Sequence, residues 1–489
     1  MTKILESIHA AVWGAPTLML ILGVGLYLSI RLKLVQLRLL PMAVKAFFQR
    51  LRPEAGGDGT VSPFQAMCTA LAATVGTGNL VGVAGAICVG GPGAIFWMWI
   101  CGILGMATKF AEATLALRYR VRENGEYVGG PMYMISRGMG ESWRWLAWLY
   151  SFFGVIAAFG VGNATQINAV IAGIHGVAAR LGGEPGRLAD LLIGIILALI
   201  IGAMLLGGAR RIGTVAERLV PAAAAGYVLL CLWVLIMRRE AVPGAFRAIL
   251  EGAFSPEAVT GGAVGSAFQA LSVGCSRGVF TNEAGMGTAS IAHASARVSH
   301  PGEQGLMGIM EVFLDTILMC SMTALVILSS GVEIPYGFDA GGELTVAAFT
   351  SVCGDWAAGF LAAALCCFAF ATVLGWGLYG ARCAQFLFGS GSGKFFALLQ
   401  TVTVVIGAIL QTGTVWLLAE TVNGLMAIPN LIALAYLSPE LKRLTNEFER
   451  KPGNQPVEVK HADFHQRKPL RTLSYEKVPP LRGGSGEAG

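Results

Sequence analysis

Charge is scarce in this sequence. Of 489 residues only 13% are Asp, Glu, Lys or Arg, against about 25% in an average soluble protein. A soluble chain of this length needs more charge on its surface. The scarcity argues against a soluble enzyme, a nucleic-acid binder and a disordered chain. Chemistry-bearing motifs are scarce too. The ten cysteines include no Cys-X-X-Cys and no Cys/His spacing suited to zinc. Most, such as Cys68, Cys88, Cys101, Cys320, Cys366 and Cys367, fall inside apolar runs, where free cysteine packs as a small apolar residue. The absence of a Gly-rich phosphate-binding loop disfavours an ATP-driven pump. No metal-ligand cluster or nucleophile–base pair stands out, so neither enzyme activity nor a cofactor is expected. The opening residues, MTKILESIHA, lack a basic stretch followed by an apolar core, so no cleaved signal is expected.

What the chain has is apolar length. Hydrophobic residues make up 55%, and mean hydropathy is +0.64. A spanning helix needs about 20 apolar residues. Candidate runs cover 8–30, 64–90, 93–117, 145–176, 188–206, 214–237, 262–293, 305–331, 347–385, 394–412 and 414–437. The expected class is an all-α polytopic membrane protein with about 11 transmembrane helices. Its 66 glycines suit helices that pack closely in lipid. Arg31, Lys33, Arg38, Lys45, Arg50 and Arg52 mark the first loop as cytoplasmic, which puts the N-terminus outside. Arg118, Arg120, Arg122 and Arg137, then Arg210 and Arg211, then Arg297, then Arg382 and Lys394 follow on the same side. The loop 332–346, on the outer side, carries Glu333, Asp339 and Glu343 and no Lys or Arg. Arg238, Arg239 and Arg247 break the alternation. Residues 438–489 read as a charged, disordered cytoplasmic tail.

Two runs do not read as plain helices. One contains Thr74-Val75-Gly76-Thr77-Gly78-Asn79-Leu80, the other the stretch from Gly274 to Gly287. Both mix glycine with polar residues at membrane depth, where unwound backbone is tolerated only inside protein or beside a cavity. They lie five spans apart. With the first span set aside they are numbers one and six of ten, as inverted repeats with a midplane site require. The alternative is that the glycines, such as Gly78 and Gly82, only let helices approach.

A broken helix offers free carbonyls to a cation at one end and free N–H groups to a carboxylate at the other. Thr77, Gly78 and Asn79 sit at such a junction. Gln166, one turn after Asn163, offers an amide to a substrate or to a neighbouring helix. Glu311 and Asp315 are spaced to share a helix face. One could relay protons or bind a cation, or they could pair with Lys109 or Arg277. Lys109 and Glu112 read as anchors near a cytoplasmic helix end, and Glu283 and Arg277 as structural residues with a gate as the further option. Thr372 could complete a sodium shell, and Trp376 could wall off a small side chain or simply pack. His293 reads as lying at a cytoplasmic end. An ion channel is the rival class, since it also uses unwound backbone.

The strings ATVGTGNLVGVA, GGPGAIFWMWICGILGMATKFAE, GGPMYMISRGMG, RGVFTNEAGMGTASIAHA, EVFLDTILMCSMTALVILSSG and NGLMAIPNLIAL resemble the alanine/glycine:cation symporter family over about residues 60 to 437. The resemblance implies a LeuT-like 5+5 inverted repeat preceded by one extra N-terminal helix. Residues 1–60 would hold that helix and a basic segment, 61–437 the transporter core with repeats at roughly 61–240 and 260–437, and 438–489 the tail. It implies uptake of alanine or glycine with sodium, protons being possible, across a prokaryotic inner membrane. Carried over by motif, Thr77, Gly78 and Asn79 would hold the substrate carboxylate and Gln166 its polar groups. Met286, Thr372 and Trp376 would shape the pocket. By analogy with LeuT-type folds, the carbonyls of Ala72 and Val75 with the Thr372 hydroxyl would form a sodium site. The family often has Ser and an acid where this chain has Gly377 and Ala381, which puts its gating and ion preference in question.

Overall fold

The computed structural model describes residues 7–9, 11–49, 61–123, 125–180, 182–338, 341–409 and 413–450. Apart from one short hairpin, Val121–Glu123 with Glu126–Val128, the regular structure of the described residues is helical. Among the described residues, seven helices are long and apolar enough to cross a membrane, and up to nine if each of two bent pairs is one span. The principal helices are α1 (Ala15–Arg31), α2 (Pro63–Thr74), α3 (Gly78–Gly90), α4 (Gly93–Tyr119), α5 (Glu141–Arg180), α6 (Arg187–Leu205), α7 (Gly208–Met237), α8 (Ala267–Asn282), α9 (Thr288–His293), α10 (Pro301–Ser329), α11 (Gly341–Cys353), α12 (Trp356–Phe388), α13 (Ser392–Ile409), α14 (Gly413–Tyr436) and α15 (Ser438–Arg450).

Local chemistry sets the breaks. A Ser62/Gln65 capping box and Pro63 at the first position start α2. It stops at Thr74 because Val75 is extended, with ψ 107°, and α3 leaves at 53° to it. The second interruption is shorter than the sequence suggests. α8 runs unbroken through Gly274 and Gly278 to Asn282. Glu283 then turns left-handed, at φ 51°, and Gly285 and Gly287 follow at φ 96° and 79° before α9 begins. Gly274 serves close packing instead. A Cβ there would lie 2.2 Å from the Ala94 carbonyl oxygen, so α8 and α4 approach as only a glycine allows.

Packing is centred on α4, which α8 and α10 flank, while α12 rests on α5, α2 and α13. α1 lies against α4 and α14. Two expectations need correction. The run 347–385 is not one helix. α11 ends at Cys353, Gly354 takes φ 82°, and α12 starts at Trp356. The segment from Ser438 is not disordered up to Arg450. It is α15, whose Leu441 and Leu444 are buried and whose Glu440 and Glu449 pair with Arg118 and Arg38 at 2.8 Å. Apolar spacing on one face and acids opposite basic loop residues explain why this stretch folds. Residues 451–489 lie outside the described residues, as do Arg50, Arg52 and Asp339.

The charged residues placed at helix ends by the sequence are in fact inside. Lys109, Glu112 and His293 are all fully buried. Lys109 Nζ donates to Glu311 Oε1 at 2.7 Å, and His293 Nε2 lies 2.9 Å from Glu311 Oε2. Gln304 Nε2 donates to the Pro63 carbonyl at 3.1 Å and lies 2.7 Å from His293 Nδ1. The carbonyl can only accept, so the amide presents N–H to His293, and Nδ1 is the acceptor. His293 is then the Nε2–H tautomer, donating to Glu311. This buried chain ties α2, α4, α9 and α10 together.

Two outcomes follow for purified protein in detergent. Gly274→Ala must push α8 off α4 and lowers the melting temperature, whereas Gly359→Ala, which meets nothing within 4 Å, leaves it within about 0.5 kcal/mol of wild type. Lys109→Met strands the Glu311 carboxylate and costs about 3–5 kcal/mol. The pair Lys109→Met/Glu311→Leu recovers most of that loss. Equal damage from single and double variants in a thermal-melt series would refute the ion-pair account.

Candidate binding site at two broken helices

A small buried pocket lies where the two interruptions meet. Ala73, Thr74, Gly76, Thr77 and Gly78 line it from the first break, and Phe280 and Glu283 from the second. Val161 and Gln166 of α5 and Thr372 and Trp376 of α12 close it. Small residues make the convergence possible. A Cβ on Gly162 would fall 2.2 Å from the Trp376 Cβ, and one on Gly78 would fall 2.7 Å from the Thr281 methyl. The α5 wall is a π-helical turn, Gly160–Ala164, a form that recurs at functional sites.

Of the residues the sequence singles out, Thr77, Gly78, Gln166, Thr372 and Trp376 are brought together on this lining. The Thr372 hydroxyl donates to the Ala72 carbonyl at 3.0 Å and shares its proton with Phe368 O, also at 3.0 Å. Two of the three expected sodium ligands are thus adjacent. Val75 is buried at the end of α2. Gln166 Nε2 donates to Val161 O at 3.2 Å, which fixes the amide, and Oε1 has no hydrogen-bond partner among the described residues. Asn163 does not reach the pocket lining. Its Nδ2 donates to Gln400 O on α13 at 2.8 Å.

Two expected site residues are not on the lining. Met286 is buried within the second turn, its N–H donating to Glu283 O. Asn79 points away from the pocket. Its Oδ1 accepts from the Gly76 N–H at 3.0 Å, and its Nδ2 donates to Asp315 Oδ1 at 2.7 Å. The other Asp315 oxygen accepts from the Thr316 hydroxyl at 2.8 Å. That hydroxyl accepts from Asn282 Nδ2 at 3.1 Å, and Asn282 Oδ1 accepts from Ala284 N–H at 2.9 Å. One carboxylate therefore reaches both breaks. Glu311 and Asp315 take different partners, and the π-helical stretch 313–320 begins between them. Glu311 joins Lys109 and Asp315 joins Asn79.

The sequence misplaces one buried acid. Glu112, expected at a helix end, caps the second break. Its Oε1 accepts from the N–H groups of Gly285 and Gly287 at 2.9 and 3.1 Å and from Asn430 Nδ2 at 2.7 Å. Glu283 is on the pocket wall. Its Oε1 accepts from Trp376 Nε1 at 3.2 Å and its Oε2 from the Thr288 hydroxyl at 2.5 Å. The available signal was an acid beside Gly-rich sequence in an apolar run. At the departures from the family pattern, Gly377 has a packing reason: a Cβ there would lie 2.4 Å from Leu205 Cδ2. Ala381 precedes Arg382, which pairs with Glu126.

Comparison with known proteins fits this geometry. A profile described as "Sodium:alanine symporter family" matches residues 1–462. The chain is 40% identical over 458 residues to "Sodium/alanine symporter AgcS" of Methanococcus maripaludis, covering 93% of this chain and 98% of that protein. It is 36% identical over 465 residues to "Probable sodium/glutamine symporter GlnT" of Bacillus subtilis, with 94% of each covered. In fold it is similar to MhsT, solved in complex with L-phenylalanine, at TM-score 0.54 and 15% identity over 80% of this chain and 99% of that one. The chain belongs to the sodium:alanine symporter family, as a multi-pass membrane transporter for symport of an amino acid with a cation and not as an enzyme.

Proposed function

We propose that this protein imports a small neutral amino acid, alanine or glycine, together with sodium by alternating access. The observation that carries the reading is the pocket at the meeting of two broken helices, with acceptor and donor ends on one small volume. The N–H end at Thr77 and Gly78, at the positive end of α3, suits a substrate carboxylate. Phe280, Trp376 and Val161 put bulky apolar surface on the lining of a small pocket, which supports a small side chain. Ala72 O and the Thr372 hydroxyl oxygen, with the Val75 carbonyl, suit a sodium ion, a hard cation that takes oxygen ligands. Eleven spans, a five-plus-five inverted repeat after one extra helix, an outer N-terminus, an inner C-terminus and an inner-membrane location complete the proposal. α2/α3 and α8/α9 occupy matching places in the two halves, which supports the repeat.

A proton-coupled variant has one observation in its favour. Asp315 is fully buried and, among the described residues, its carboxylate is met only by Asn79 and Thr316. A group so placed can carry a proton as the counter-charge.

The deciding experiment is radiolabelled alanine uptake by proteoliposomes under a sodium gradient, a proton gradient, or neither. Accumulation above the outside concentration with sodium alone is expected. Accumulation with protons alone transfers coupling to Asp315, and no accumulation under any gradient refutes alanine as the cargo. Thr372→Val keeps the shape and removes the hydroxyl. Its half-saturating sodium concentration should rise at least about tenfold, the effect of losing one ligand-grade interaction of roughly 1.4 kcal/mol.

A further inference from the structure

We infer that Glu283 is the partner of the substrate's ammonium group, and that it restricts the cargo to compounds with a free amine. The inference rests on the proposed amino-acid reading and names how the same pocket recognises its charge.

Glu283 is 3% exposed, lines the pocket, and makes no ion-pair contact among the described residues; Lys109, the buried base that acts on it through charge, gives its hydrogen bond to Glu311. The two donors that meet its carboxylate, the Trp376 indole and the Thr288 hydroxyl, are neutral. An ionised carboxylate accepts about four hydrogen bonds, so a third and fourth donor can still be taken. A buried carboxylate met only by neutral donors is costly, and a cation in the pocket would offset that cost. The second observation is independent. Gln166 is 5% exposed, and among the described residues its Oε1 has no hydrogen-bond partner although its Nε2 is held by Val161. That oxygen faces the first break, 3.8 Å from where a Cβ on Gly76 would sit. Two acceptors, one charged, therefore converge on the pocket from α5 and the second break.

The N–H end of α3 stands on the remaining wall. A zwitterion fits this division, its carboxylate at Thr77–Gly78 and its ammonium donating to Glu283 and Gln166 Oε1. An ammonium has three donors and is satisfied by such a set. The backbone at this position is itself specified. Glu283 holds φ 51°, a left-handed conformation that a non-glycine residue adopts only when its surroundings impose it. Trp376 holds the carboxylate from one side, and Gly162 gives the indole its room. A hydroxy acid or an N-acylated amino acid would leave the carboxylate without its cation and is rejected.

The test uses the full chain in proteoliposomes. Wild-type protein should take up alanine and ignore 2-hydroxypropionate, which replaces the amine with a hydroxyl, at roughly a hundredfold excess. Glu283→Gln keeps the size and removes the charge. Its KM for alanine should rise about 10- to 100-fold, the range for a hydrogen bond between charged groups, while half-saturating sodium stays within twofold. Discrimination against 2-hydroxypropionate should fall at least tenfold. Glu283→Asp keeps the charge one methylene back and should retain that discrimination, even if the Gln variant does not fold. An alanine KM within twofold of wild type, or loss of discrimination in the Asp variant, overturns the inference. So does a shift of sodium affinity alone, which would make Glu283 an ion ligand. Absence of alanine uptake by the wild type is a different failure, that of the amino-acid reading itself.

Discussion

Unwound backbone in an apolar interior has to find hydrogen-bond partners within the protein, and the polar residues of this chain are arranged around that need. At the first break Asn79 turns back to receive the Gly76 N–H. At the second, Glu112 receives Gly285 and Gly287 while Asn282 receives Ala284. None of these acceptors stands alone. Asn79 is held by Asp315, Asn282 by Thr316, and Glu112 by Asn430. α10 and α14 are thereby fixed to the breaks by hydrogen bonds as well as by packing. Asp315, with one oxygen directed to each side, makes the geometry of the two interruptions interdependent.

Small residues supply the complementary condition. The pocket exists because Gly162 admits Trp376 and Gly78 admits Thr281. A methyl on either would displace a side chain packed at the pocket. The same economy applies to Gly377, where Leu205 fills the space of a side chain. In lipid there is no hydrophobic drive between helices, so such close approach carries much of the association energy. Glycine is therefore used twice here, for conformational freedom at Gly285 and Gly287, and for proximity at Gly274, Gly162 and Gly377.

The breaks are legible in the sequence because clustered glycine and polar residues are costly at membrane depth unless unwound backbone or a cavity uses them. The first falls within a residue or two of where the sequence puts it. The second begins later than Gly274, because a glycine used for packing and one used for a turn look alike in sequence. The lining is mostly legible from side chains of suitable chemistry, Thr77, Gln166, Thr372 and Trp376. Partner choice is legible only in part. The pairing of Glu311 with Lys109, about two hundred positions away in the chain, is one of the two readings the sequence offers and is the one the structure has, although Lys109 also reads as a helix-end anchor and is buried instead. Asn79 carries the right groups for a carboxylate but commits them to Gly76 and Asp315. Glu283 does not stand out, because a lone acid in a turn more often holds structure than ligand.

The short link between α2 and α3 brings the two ends of a broken helix to adjacent walls. Ala72 O, beside Thr372, belongs to the last turn of α2, and the Gly78 N–H to the first turn of α3. On the proposed reading, a cation at the carbonyl end would draw that turn toward α12, through the same hydroxyl that already bridges Ala72 and Phe368. A carboxylate at the N–H end would act on α3, which Asn79 and Asp315 join to α10. Between the two stands Gly76, whose N–H is committed to Asn79 and whose Cα faces both Thr372 and Gln166. Movement of either half-helix would change the distance across Gly76, so on the proposed reading occupancy at one end would bias the other. Coupling of this kind needs no contact between cation and substrate. It needs only that both bind the ends of one interruption whose centre is held from outside the pocket.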